Sequence, residues 1–543
     1  MKNNKGTRCS HNKATACREG EAAFDESGGD RLNKLPDDIL LNILERVETL
    51  DALRTCLLSR RMLKLPPMLS QFDINIGSLV RYHKPHVKTF SQIVRYNIAV
   101  AGVTEKILHA RNLEIPIRKL RVRFCLRRGE CLSISKAVAH AMATQKVDKT
   151  EFVLLTEKTC LKCTPDDLLC FAKQFNSWFG DFPDVFAGLT RLCLRNLRFG
   201  ELDIPNILST CKRLEYLRLS YCDAGVCSVL QVEHAQLVEL HIDYGEFESV
   251  QLNCLPKLQR MNYNYWGYQD PLIFGFVPQL SKLSLEKDGI NSTSNLQLSQ
   301  LLANVPWISN LHLDFKSEKV LGLPVYVSFL LCDAYNNTNL SEYFLALEGV
   351  NFLAVYTAIN LLLLCQIWVL PECPKLLVPV LGKLQIVKLD NLREGCDIAW
   401  TMFILEAASS LKELSISVWD HWCEMQTNKD FRRENGYCEK ANVEWQPSAV
   451  HFKHKNLVKL TIYGFQPEEN FVRYVRRVME IAVNMEEISL HDREVCEHCG
   501  NLDPSIKVCP SRYPRINEEK DMLRKEITKE LRVASPAVIH FRS

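Results

Sequence analysis

Two pairs of cysteines have the spacing that metal sites use. One pair is Cys160 and Cys163, and the other is Cys496 and Cys499. A structural zinc ion needs four ligands that converge in a tetrahedron. The second pair could recruit nearby ligands, namely Cys509 and either His491 or His498. Because neither pair has a second pair at zinc-finger spacing, we interpret both as reduced thiols and predict no metal and no cofactor; a zinc-dependent protein is the alternative.

A run of basic residues between positions 118 and 128 is the second candidate for chemistry. If this segment is a strand, alternate side chains share a face, so Lys119, Arg121 and Arg123 line up on one side. Such a basic ladder could hold an acidic peptide or a phosphate. We favour a solvated strand face, because no recognisable motif accompanies the ladder.

The sequence contains no recognisable catalytic motif. It has no glycine-rich phosphate loop, no nucleophile elbow, no HExxH helix and no paired-carboxylate motif. The formal net charge of +3 gives no signature of nucleic-acid or membrane-surface binding. We therefore predict a non-catalytic protein without catalytic residues, which binds neither nucleic acid nor membrane.

Length and cysteine content indicate a large protein of a reducing compartment. A chain of 543 residues is too long for one compact domain. Residues 1–29 are polar, so we expect a disordered tail, and they contain no apolar run that could serve as a secretory signal. The 22 cysteines are scattered through hydrophobic contexts, as buried free thiols are. We expect a cytoplasmic or nuclear location.

Residues 352–370 have nearly the length of a membrane span. The segment contains Asn360 and Gln366, lacks a flanking basic cluster and ends at Pro371. A buried helix followed by a buried strand explains it equally well, and we favour that interpretation. A membrane-anchored receptor is the alternative.

From about residue 115 a short pattern recurs, in which the first, fourth and sixth positions are apolar. The eleven copies are Ile117/Leu120/Val122, Leu189/Leu192/Leu194, Leu214/Leu217/Leu219, Leu237/Leu240/Ile242, Leu258/Met261/Tyr263, Leu280/Leu283/Leu285, Ile308/Leu311/Leu313, Leu384/Val387/Leu389, Leu411/Leu414/Ile416, Leu457/Leu460/Ile462 and Met485/Ile488/Leu490. Successive copies from Leu189 start 25, 23, 21, 22 and 28 residues apart, within or near the range of leucine-rich repeats. The last two residues of each triad alternate as a strand requires, and the first completes a turn.

The pattern has two gaps. Two or three copies could be disguised between Leu313 and Leu384, and we predict a long surface loop between Ile416 and Leu457. Stacked units would bury the leucines and leave the intervening residues on a concave surface. That surface is polar, mixed in sign and different in each copy, which suits recognition of one particular protein. The candidate target-binding residues are Tyr216, Arg218, Glu239, His241, Arg260 and Lys282. For any single position, a solvated face without a ligand is the alternative.

Residues 32–65 fit three short amphipathic helices joined by almost no loop. Proline is tolerated at a first helical position, so Leu35-Pro36 opens the first helix. Its apolar stripe consists of Ile39, Leu40, Ile43, Leu44 and Val47. Thr49 or Asp51 can cap the second helix, and residues 58–59 lead into the third. Because a unit this small cannot bury all its apolar positions, part of the stripe should contact another protein.

These elements resemble the F-box over roughly residues 32–71. The matching elements are Leu35-Pro36, the pairs Ile39-Leu40 and Ile43-Leu44, and Leu58-Ser59-Arg60-Arg61. Met62 occupies the place where the family often has tryptophan. The repeats are similar to the degenerate leucine-rich repeats of plant F-box proteins, and the end of the chain resembles the FBD-type tail that often follows them.

The resemblance implies a substrate-receptor subunit of an SCF (Skp–cullin–F-box) ubiquitin ligase. The F-box would dock onto a Skp-type adaptor, which joins a cullin and a RING subunit, and the repeats would hold an unknown target protein. Residues that face the adaptor or support that face would be Leu35, Pro36, Ile39, Leu40, Ile43, Leu44 and Leu53. A repeat scaffold with a non-functional F-box, motivated by Met62, is the alternative.

The predicted fold is therefore an α/β solenoid, in which a three-helix F-box precedes an irregular leucine-rich-repeat horseshoe. The predicted segments are a tail at 1–29, the F-box at 30–75, a linker with a first helical connection at 76–114, degenerate repeats at 115–463 and an FBD-like cap at 464–543.

Overall fold

A sheet of fourteen parallel strands organises the protein. The computed structural model describes residues 32, 34–77, 90–225, 228–266, 271–287, 296–315, 369, 371–392, 398–418, 452–492, 511–529, 531 and 537–542. Across the sheet the strands are β1 (Gln71–Asn75), β2 (Lys119–Cys125), β3 (Thr150–Leu155), β4 (Arg191–Arg195), β5 (Tyr216–Ser220), β7 (Glu239–Asp243), β9 (Arg260–Trp266), β11 (Lys282–Lys287), β12 (Asn310–Asp314), β13 (Ile386–Leu392), β14 (Glu413–Val418), β15 (Lys459–Tyr463), β16 (Glu487–His491) and β17 (Val538–Arg542). The order follows the chain, and the predicted α/β arrangement is confirmed.

Helices pack against one face of this sheet. They are α1 (Asp37–Leu44), α2 (Thr49–Cys56), α3 (Phe90–Ala110), α4 (Arg128–Thr144), α5 (Pro165–Asp181), α6 (Pro183–Ala187), α7 (Asp203–Thr210), α8 (Leu298–Leu301), α9 (Pro374–Leu381), α10 (Met402–Ala407), α11 (Glu469–Ile481) and α12 (Asn517–Thr528). Near the amino-terminal end, Phe124 and Phe152 of the sheet contact Trp178 of α5, and Phe186 of α6 completes the aromatic cluster. The indole nitrogen of Trp178 donates to Ser135 Oγ at 2.8 Å, so its polar atom is satisfied inside the core.

Each of the eleven predicted triads coincides with a strand of the main sheet, and all of their side chains are buried. The sequence reading missed three further strands, β1, β3 and β17. Strand β1 obeys the same pattern through Leu69, Phe72 and Ile74, all buried, and so lies before the predicted start of the repeats. In β3 the middle position of the triad is Thr150, which is buried although it is polar. A purely apolar pattern therefore overlooks β3.

Strand β12 pairs directly with β13, with Asn310 opposite Ile386. No disguised copy from the gap between Leu313 and Leu384 can therefore lie between these two strands of the main sheet, and that part of the prediction is wrong. Residues 316–368 lie outside the described residues. Strand β14 likewise pairs directly with β15. Of the apolar segment 352–370, only Val369 is among the described residues, and it forms a bridge with Leu296. None of the described helices is both long enough and apolar enough to span a membrane.

Three strands form a separate parallel sheet that the triads did not predict, namely β6 (Val229–Glu233), β8 (Ser249–Cys254) and β10 (Leu272–Phe276). Each lies in a repeat whose successive triads start only 21 to 23 residues apart. The 25- and 28-residue repeats carry helices α7 and α8 at the same place. A strand rises roughly 3.3 Å per residue and a helix about 1.5 Å. A connection with fewer residues therefore covers the same distance between successive triads only if it is extended as a strand.

A left-handed backbone conformation recurs two residues after the third member of a triad. It occurs at Asn196, Tyr221, Tyr244, Tyr265, Asn391 and Gly464, with φ between 51° and 73°. Glycine is required at position 464, because a Cβ there would lie 1.9 Å from the carbonyl oxygen of Val418. The chain leaves the strand at this point in each of these repeats.

Two histidines hold successive repeats together in the same way. The Nδ1 atom of His454 accepts from the backbone N–H groups of Asn456 and Leu457, so Nε2 carries the proton and donates to the carbonyl of Ala408 at 3.0 Å. His234 donates from Nε2 to the carbonyl of Cys211, also at 3.0 Å. The two carbonyls belong to the residues that end helices α10 and α7, so each histidine satisfies a helix terminus in the preceding repeat.

The amino-terminal unit contains two α-helices, not three. Helix α1 begins directly after Pro36, with Asp37 and Asp38 in its first turn, but the predicted third helix is replaced by two 3-10 turns, Met62–Lys64 and Pro66–Met68. Proline in the segment prevents a continuous α-helix. Thr49 is the first residue of α2 and not its cap; its hydroxyl accepts from the backbone N–H of Asp73 at 2.7 Å.

Candidate functional site

An apolar surface lies on the amino-terminal unit. The exposed apolar residues of this surface, called the apolar face below, are Ile39, Ile43, Val47, Leu57, Leu58 and Leu63. Leu57 and Leu58 are 71% and 76% exposed, so neither residue belongs to the hydrophobic core. Arg61 ties their segment to the start of α1, donating to Asp37 at 2.9 Å and to the carbonyl of Leu35 at 2.8 Å. The structure thus presents apolar side chains that its own core does not cover.

The seven residues proposed for adaptor binding separate into two groups. Ile39 and Ile43 are exposed on α1, as is Pro36 before it, whereas Leu35 and Leu53 are half-buried. Leu40 and Leu44 are buried at 0% and 3% exposure and belong to the core of the chain. Of the two roles predicted for this group, facing the adaptor or supporting that face, only the supporting role fits these two buried leucines. The sequence analysis did not assign Leu57, Leu58 or Leu63 to this face. Three apolar residues beside the charged pair Arg60-Arg61 could have indicated an exposed apolar surface.

Met62 is a core residue, with 2% of its surface exposed. It packs in the same hydrophobic cluster as Leu40 and Leu65. The unbranched side chain of methionine fills irregular gaps, so this position can accept it in place of a ring. Met62 therefore belongs to the interior of the unit and not to the apolar face.

The apolar face is held in a fixed relation to the main sheet. Glu45, at the end of α1, accepts from the backbone N–H and the hydroxyl of Ser70, both at 2.7 Å, and from Arg118 at 2.6 Å. Its side chain is only 6% exposed. Strand β1 follows directly and pairs along its whole length with β2. Polar contacts and sheet pairing thus join the amino-terminal unit to the sheet without an intervening linker.

The second candidate surface is the face of the main sheet opposite the buried triads, called the polar face below. Parallel pairing places its residues in rows that run across the strands. The first row is Tyr216, Glu239, Arg260, Lys282 and Asn310; the second is Arg218, His241, Asn262, Ser284, His312 and Lys388; the third is Ser220, Asp243, Asn264, Glu286, Asp314 and Asp390. The structure thus brings five of the six proposed target-binding residues to one half-buried or exposed surface.

Tyr216 is the exception among the six. Only 8% of it is exposed, because Arg191 lies over its ring at 3.3 Å from the centroid and His241 contacts it at 5.0 Å. Burial raises the pKa of its hydroxyl to about 12. Arg191 was not among the predicted target-binding residues. Because it covers Tyr216, the polar face carries the guanidinium group of Arg191 at this position and not the tyrosine ring.

Hydrogen bonds connect neighbouring strands within and between the rows. Arg260 Nε donates to Glu239 at 2.7 Å, and Asn262 donates to His241 at 3.0 Å. Burial alone would raise the pKa of Glu239, yet the hydrogen bonds from Arg260 and His241 outweigh it and lower that pKa. Burial lowers the pKa of His241. Arg218 Nε donates to Asp243 at 2.6 Å. Much of the polar face is therefore pre-organised by its own side chains.

Ser284, His312 and Asp390 form a chain that superficially matches a hydrolytic triad. The hydroxyl of Ser284 lies 2.8 Å from Nδ1 of His312, whose Nε2 lies 2.8 Å from Asp390. Acyl transfer also needs backbone N–H donors aimed at the developing oxyanion. Ser284 lies in mid-strand and is paired on both sides, with β9 and β12, so its own backbone belongs to the sheet. We interpret the chain as a cross-strand hydrogen-bond network.

Three tyrosines border the third row at the left-handed positions. Tyr221 stacks on Tyr244 with centroids 4.4 Å apart, and Tyr244 stacks on Tyr265 at 3.5 Å. Arg195 lies 5.2 Å from the ring of Tyr221. The ring faces cover one another, which makes this stack a structural border of the polar face. Its signal was present in the sequence, as a tyrosine two residues after three successive triads.

The predicted basic ladder lies on β2 with its members on one face, since exposure alternates along the strand. Glu151 compensates two of the members: Arg121 Nε donates to it at 2.5 Å, and Lys119 lies at 3.4 Å. Arg123 differs, because no carboxylate of the described residues lies within ion-pair distance of it.

The cysteine candidates for metal binding gain no support. Cys160 and Cys163 are free thiols, and no group of three or more metal-ligating side chains occurs in the described ranges. Cys496, His498, Cys499 and Cys509 lie outside the described residues. His491, the remaining candidate, stacks on Tyr463 with centroids 4.5 Å apart.

Comparison with known proteins finds one family model and two similar plant proteins. A family model for the F-box domain matches residues 32–66, which include all six residues of the apolar face. Two F-box/FBD/LRR-repeat proteins of Arabidopsis thaliana are similar to the chain. One is 26% identical over 271 residues, covering 44% of this chain and 56% of the relative; the other is 27% identical over 276 residues, covering 47% and 61%. The match thus spans little more than half the length of these relatives. The chain contains an F-box domain, and it is similar to plant proteins named F-box/FBD/LRR-repeat proteins.

Proposed function

We propose that the protein is the substrate-recognition subunit of an SCF-type ubiquitin ligase. The observation that carries this proposal is the apolar face of a folded F-box, since F-box domains generally bind Skp-type adaptors. Through that adaptor the protein would join a cullin and a RING subunit. The role is non-catalytic, because the thioester chemistry resides in other subunits.

The polar face would hold the target protein. We propose that the main sheet is the strand layer of a leucine-rich-repeat solenoid; parallel strands in chain order and the names of the two relatives support this. Arg218, Glu239, His241, Arg260 and Lys282 remain the proposed target contacts. Tyr216 would not contact the target itself but would position Arg191, which covers its ring.

The fixed junction between F-box and sheet would serve the reaction. A tethered target meets the charged conjugating enzyme at a high effective concentration, and a rigid tether limits the orientations that must be searched. Glu45 and the pairing of β1 with β2 supply that rigidity. The described cysteines are free thiols, which suits the cytoplasm or the nucleus as the proposed location.

Co-purification tests the proposal. The full chain is co-expressed with a Skp-type adaptor and compared with the Ile39→Asp/Ile43→Asp variant. We expect the wild type to elute with the adaptor and the variant to elute without it, because two carboxylates would be buried in the interface. Leu202→Asp is the control, since Leu202 is also an exposed apolar residue but lies outside the F-box. If wild type and variant behave alike, the alternative of a scaffold with a non-functional F-box takes the place of this proposal.

A further inference from the structure

The cysteine pair Cys160 and Cys163 lies in a 3-10 turn between β3 and α5. The backbone N–H of Cys163 donates to the carbonyl of Cys160 at 3.2 Å, which closes this turn. A 3-10 helix rises about 2.0 Å per residue, and its side chains at i and i+3 eclipse one another. The two Cα atoms are therefore about 6 Å apart, within the roughly 4.4–6.8 Å that disulfides use, and the two side chains leave the turn on the same side.

Polar contacts hold this turn on both sides. Asn196, at the end of β4, donates from its side chain to the hydroxyl of Thr156 at 2.6 Å and to the carbonyl of Lys158 at 3.2 Å. On the other side Thr164 and Asp167 form a capping box at the start of α5, and Lys158 donates to Asp167 at 2.6 Å. The turn is thus fixed by its surroundings, so a disulfide across it would need little rearrangement of the backbone.

The two sulfur atoms have different hydrogen-bond roles. Cys160 Sγ accepts from a guanidinium nitrogen of Arg195 at 3.5 Å, whereas Cys163 Sγ donates to the carbonyl of Thr159 at 3.4 Å. A positive charge beside a sulfur favours the thiolate, which is the form that attacks a disulfide. Burial raises the pKa of the Cys163 thiol and so favours its protonated form. Cys160 is therefore suited to attack first, and Cys163 to react second.

A small molecule can reach both thiols. Cys160 and Cys163 are half-buried, whereas six of the other described cysteines are buried. Cys170, Cys254 and Cys373 are exposed, but none of them has a second cysteine within three positions of the chain. Disulfides in the cytoplasm or nucleus are usually transient and serve catalysis or redox sensing. Accessibility and spacing thus single out this pair among the described cysteines.

Cys160 also contacts the border of the polar face. Arg195 lies opposite Ser220, a member of the third row, and its guanidinium is 5.2 Å from the ring of Tyr221, the first of the three stacked tyrosines. The pKa of the Tyr221 hydroxyl is raised by burial and, to a smaller extent, by its hydrogen bond with Cys160. A disulfide sulfur carries no charge and is a weaker acceptor than a thiolate. Oxidation of Cys160 would therefore loosen Arg195 and change the charge at this border.

We propose that Cys160 and Cys163 form a redox modification site, which a small disulfide of the glutathione class oxidises reversibly to an intramolecular disulfide. The Cys160 thiolate attacks one sulfur of glutathione disulfide, which forms a mixed disulfide and releases one glutathione thiolate. The Cys163 sulfur then loses its proton and attacks the Cys160 sulfur, which releases the second glutathione. Two protein thiols are oxidised, and one glutathione disulfide is reduced to two glutathione molecules that take up the two protons. The site goes beyond the proposed function and does not depend on it.

Mass spectrometry of the purified full chain tests this inference. The protein is equilibrated in mixtures of reduced and oxidised glutathione, alkylated, and digested with trypsin without reduction. Trypsin cleaves after Lys162, between the two cysteines, so the disulfide would join the peptides 159–162 and 163–173. We expect the joined peptides to accumulate as the share of glutathione disulfide rises, and to separate again on treatment with dithiothreitol.

Variants assign the disulfide to its two sulfurs. Cys160→Ser and Cys163→Ser should each abolish the joined peptides. Cys170→Ser is the matched control, because it removes an exposed thiol from the same tryptic peptide as Cys163, and it should leave them unchanged. The melting temperature of each variant, measured under reducing conditions, confirms that the chain is folded.

Arg195 supplies a quantitative readout of the contact with the polar face. Because Arg195 bonds to the reduced sulfur, Arg195→Met should destabilise the reduced form relative to the disulfide. The glutathione disulfide needed for half-oxidation should then fall about two- to tenfold, the worth of one hydrogen bond. Arg260→Met is the control on the same face, since Arg260 pairs with Glu239 and should not shift this midpoint.

Three results would overturn the inference. They are the absence of joined peptides even in glutathione disulfide alone, joined peptides that persist in the folded Cys163→Ser variant, and a midpoint in Arg195→Met equal to that of the wild type. Adaptor co-purification is measured on the same preparations. Loss of adaptor binding with an intact redox response would refute the proposed function and leave the modification site standing.

Discussion

The apolar face makes a quantitative prediction about Leu57 and Leu58. Burying a whole leucine side chain is worth roughly 1.5–3 kcal/mol. Because 71% and 76% of these residues remain exposed, contact with a partner could bury about three quarters of each. The Leu57→Ala/Leu58→Ala variant should therefore weaken adaptor binding by about 2–4 kcal/mol, which is roughly 30- to 1,000-fold in Kd.

The assay is calorimetric titration of the full chain with a Skp-type adaptor, together with urea unfolding of each variant. Leu202→Ala is the matched control for binding, because Leu202 is also 71% exposed. Leu40→Ala is the control for stability: Leu40 is fully buried, so its truncation should cost about 2–5 kcal/mol of unfolding free energy. If the double variant binds within about twofold of the wild type while remaining folded, the assignment of the apolar face is wrong.

Three further predictions concern stability. Glu45→Ala should lower the unfolding free energy by about 1–3 kcal/mol, since it leaves the buried backbone N–H of Ser70 without its acceptor; a urea midpoint equal to that of the wild type would contradict this. Leu283→Ala, in mid-sheet at 1% exposure, should cost about 2–5 kcal/mol in the same measurement. Burial lowers the pKa of His234 and of His454 below the usual 6.5, so the unfolded chain takes up these protons first. Their contribution to stability is complete above about pH 6.5 and is lost as the pH falls below it. Glutamine at both positions should flatten this dependence, and an unchanged slope would refute the assignment.

The periodicity of the sequence determined most of the main sheet. A strand exposes alternate residues, so a buried strand in a repeat must show apolar residues at its fourth and sixth positions. Copies as degenerate as Leu258/Met261/Tyr263 still follow this rule and still form a strand. The F-box was also recognisable from local sequence. Its short helices and the turn that follows them require small motifs in a fixed order along the chain.

Connections between the triads depended on the packing of the repeats. Whether a connection becomes helix α7 or strand β6 depends on the distance to be spanned and on the neighbouring repeat that pairs with it. Strand β6 needs β8, and β8 needs β10, to satisfy its backbone. A single repeat does not contain that information. The direct pairing of β12 with β13 across seventy residues of chain was equally invisible in the sequence.

Only tertiary structure decided which side chains form the two surfaces. The apolar stripe of α1 is wider than the core it meets, because packing of the unit buries Leu40 and leaves Ile39 exposed. Arg218 and Lys388 are far apart in the chain, and the pairing of the strands between them brings both to the second row of the polar face. The sequence by itself determined the strands and the F-box because those depend on local periodicity. The surfaces depend on which strands become neighbours, and only the folded chain decides that.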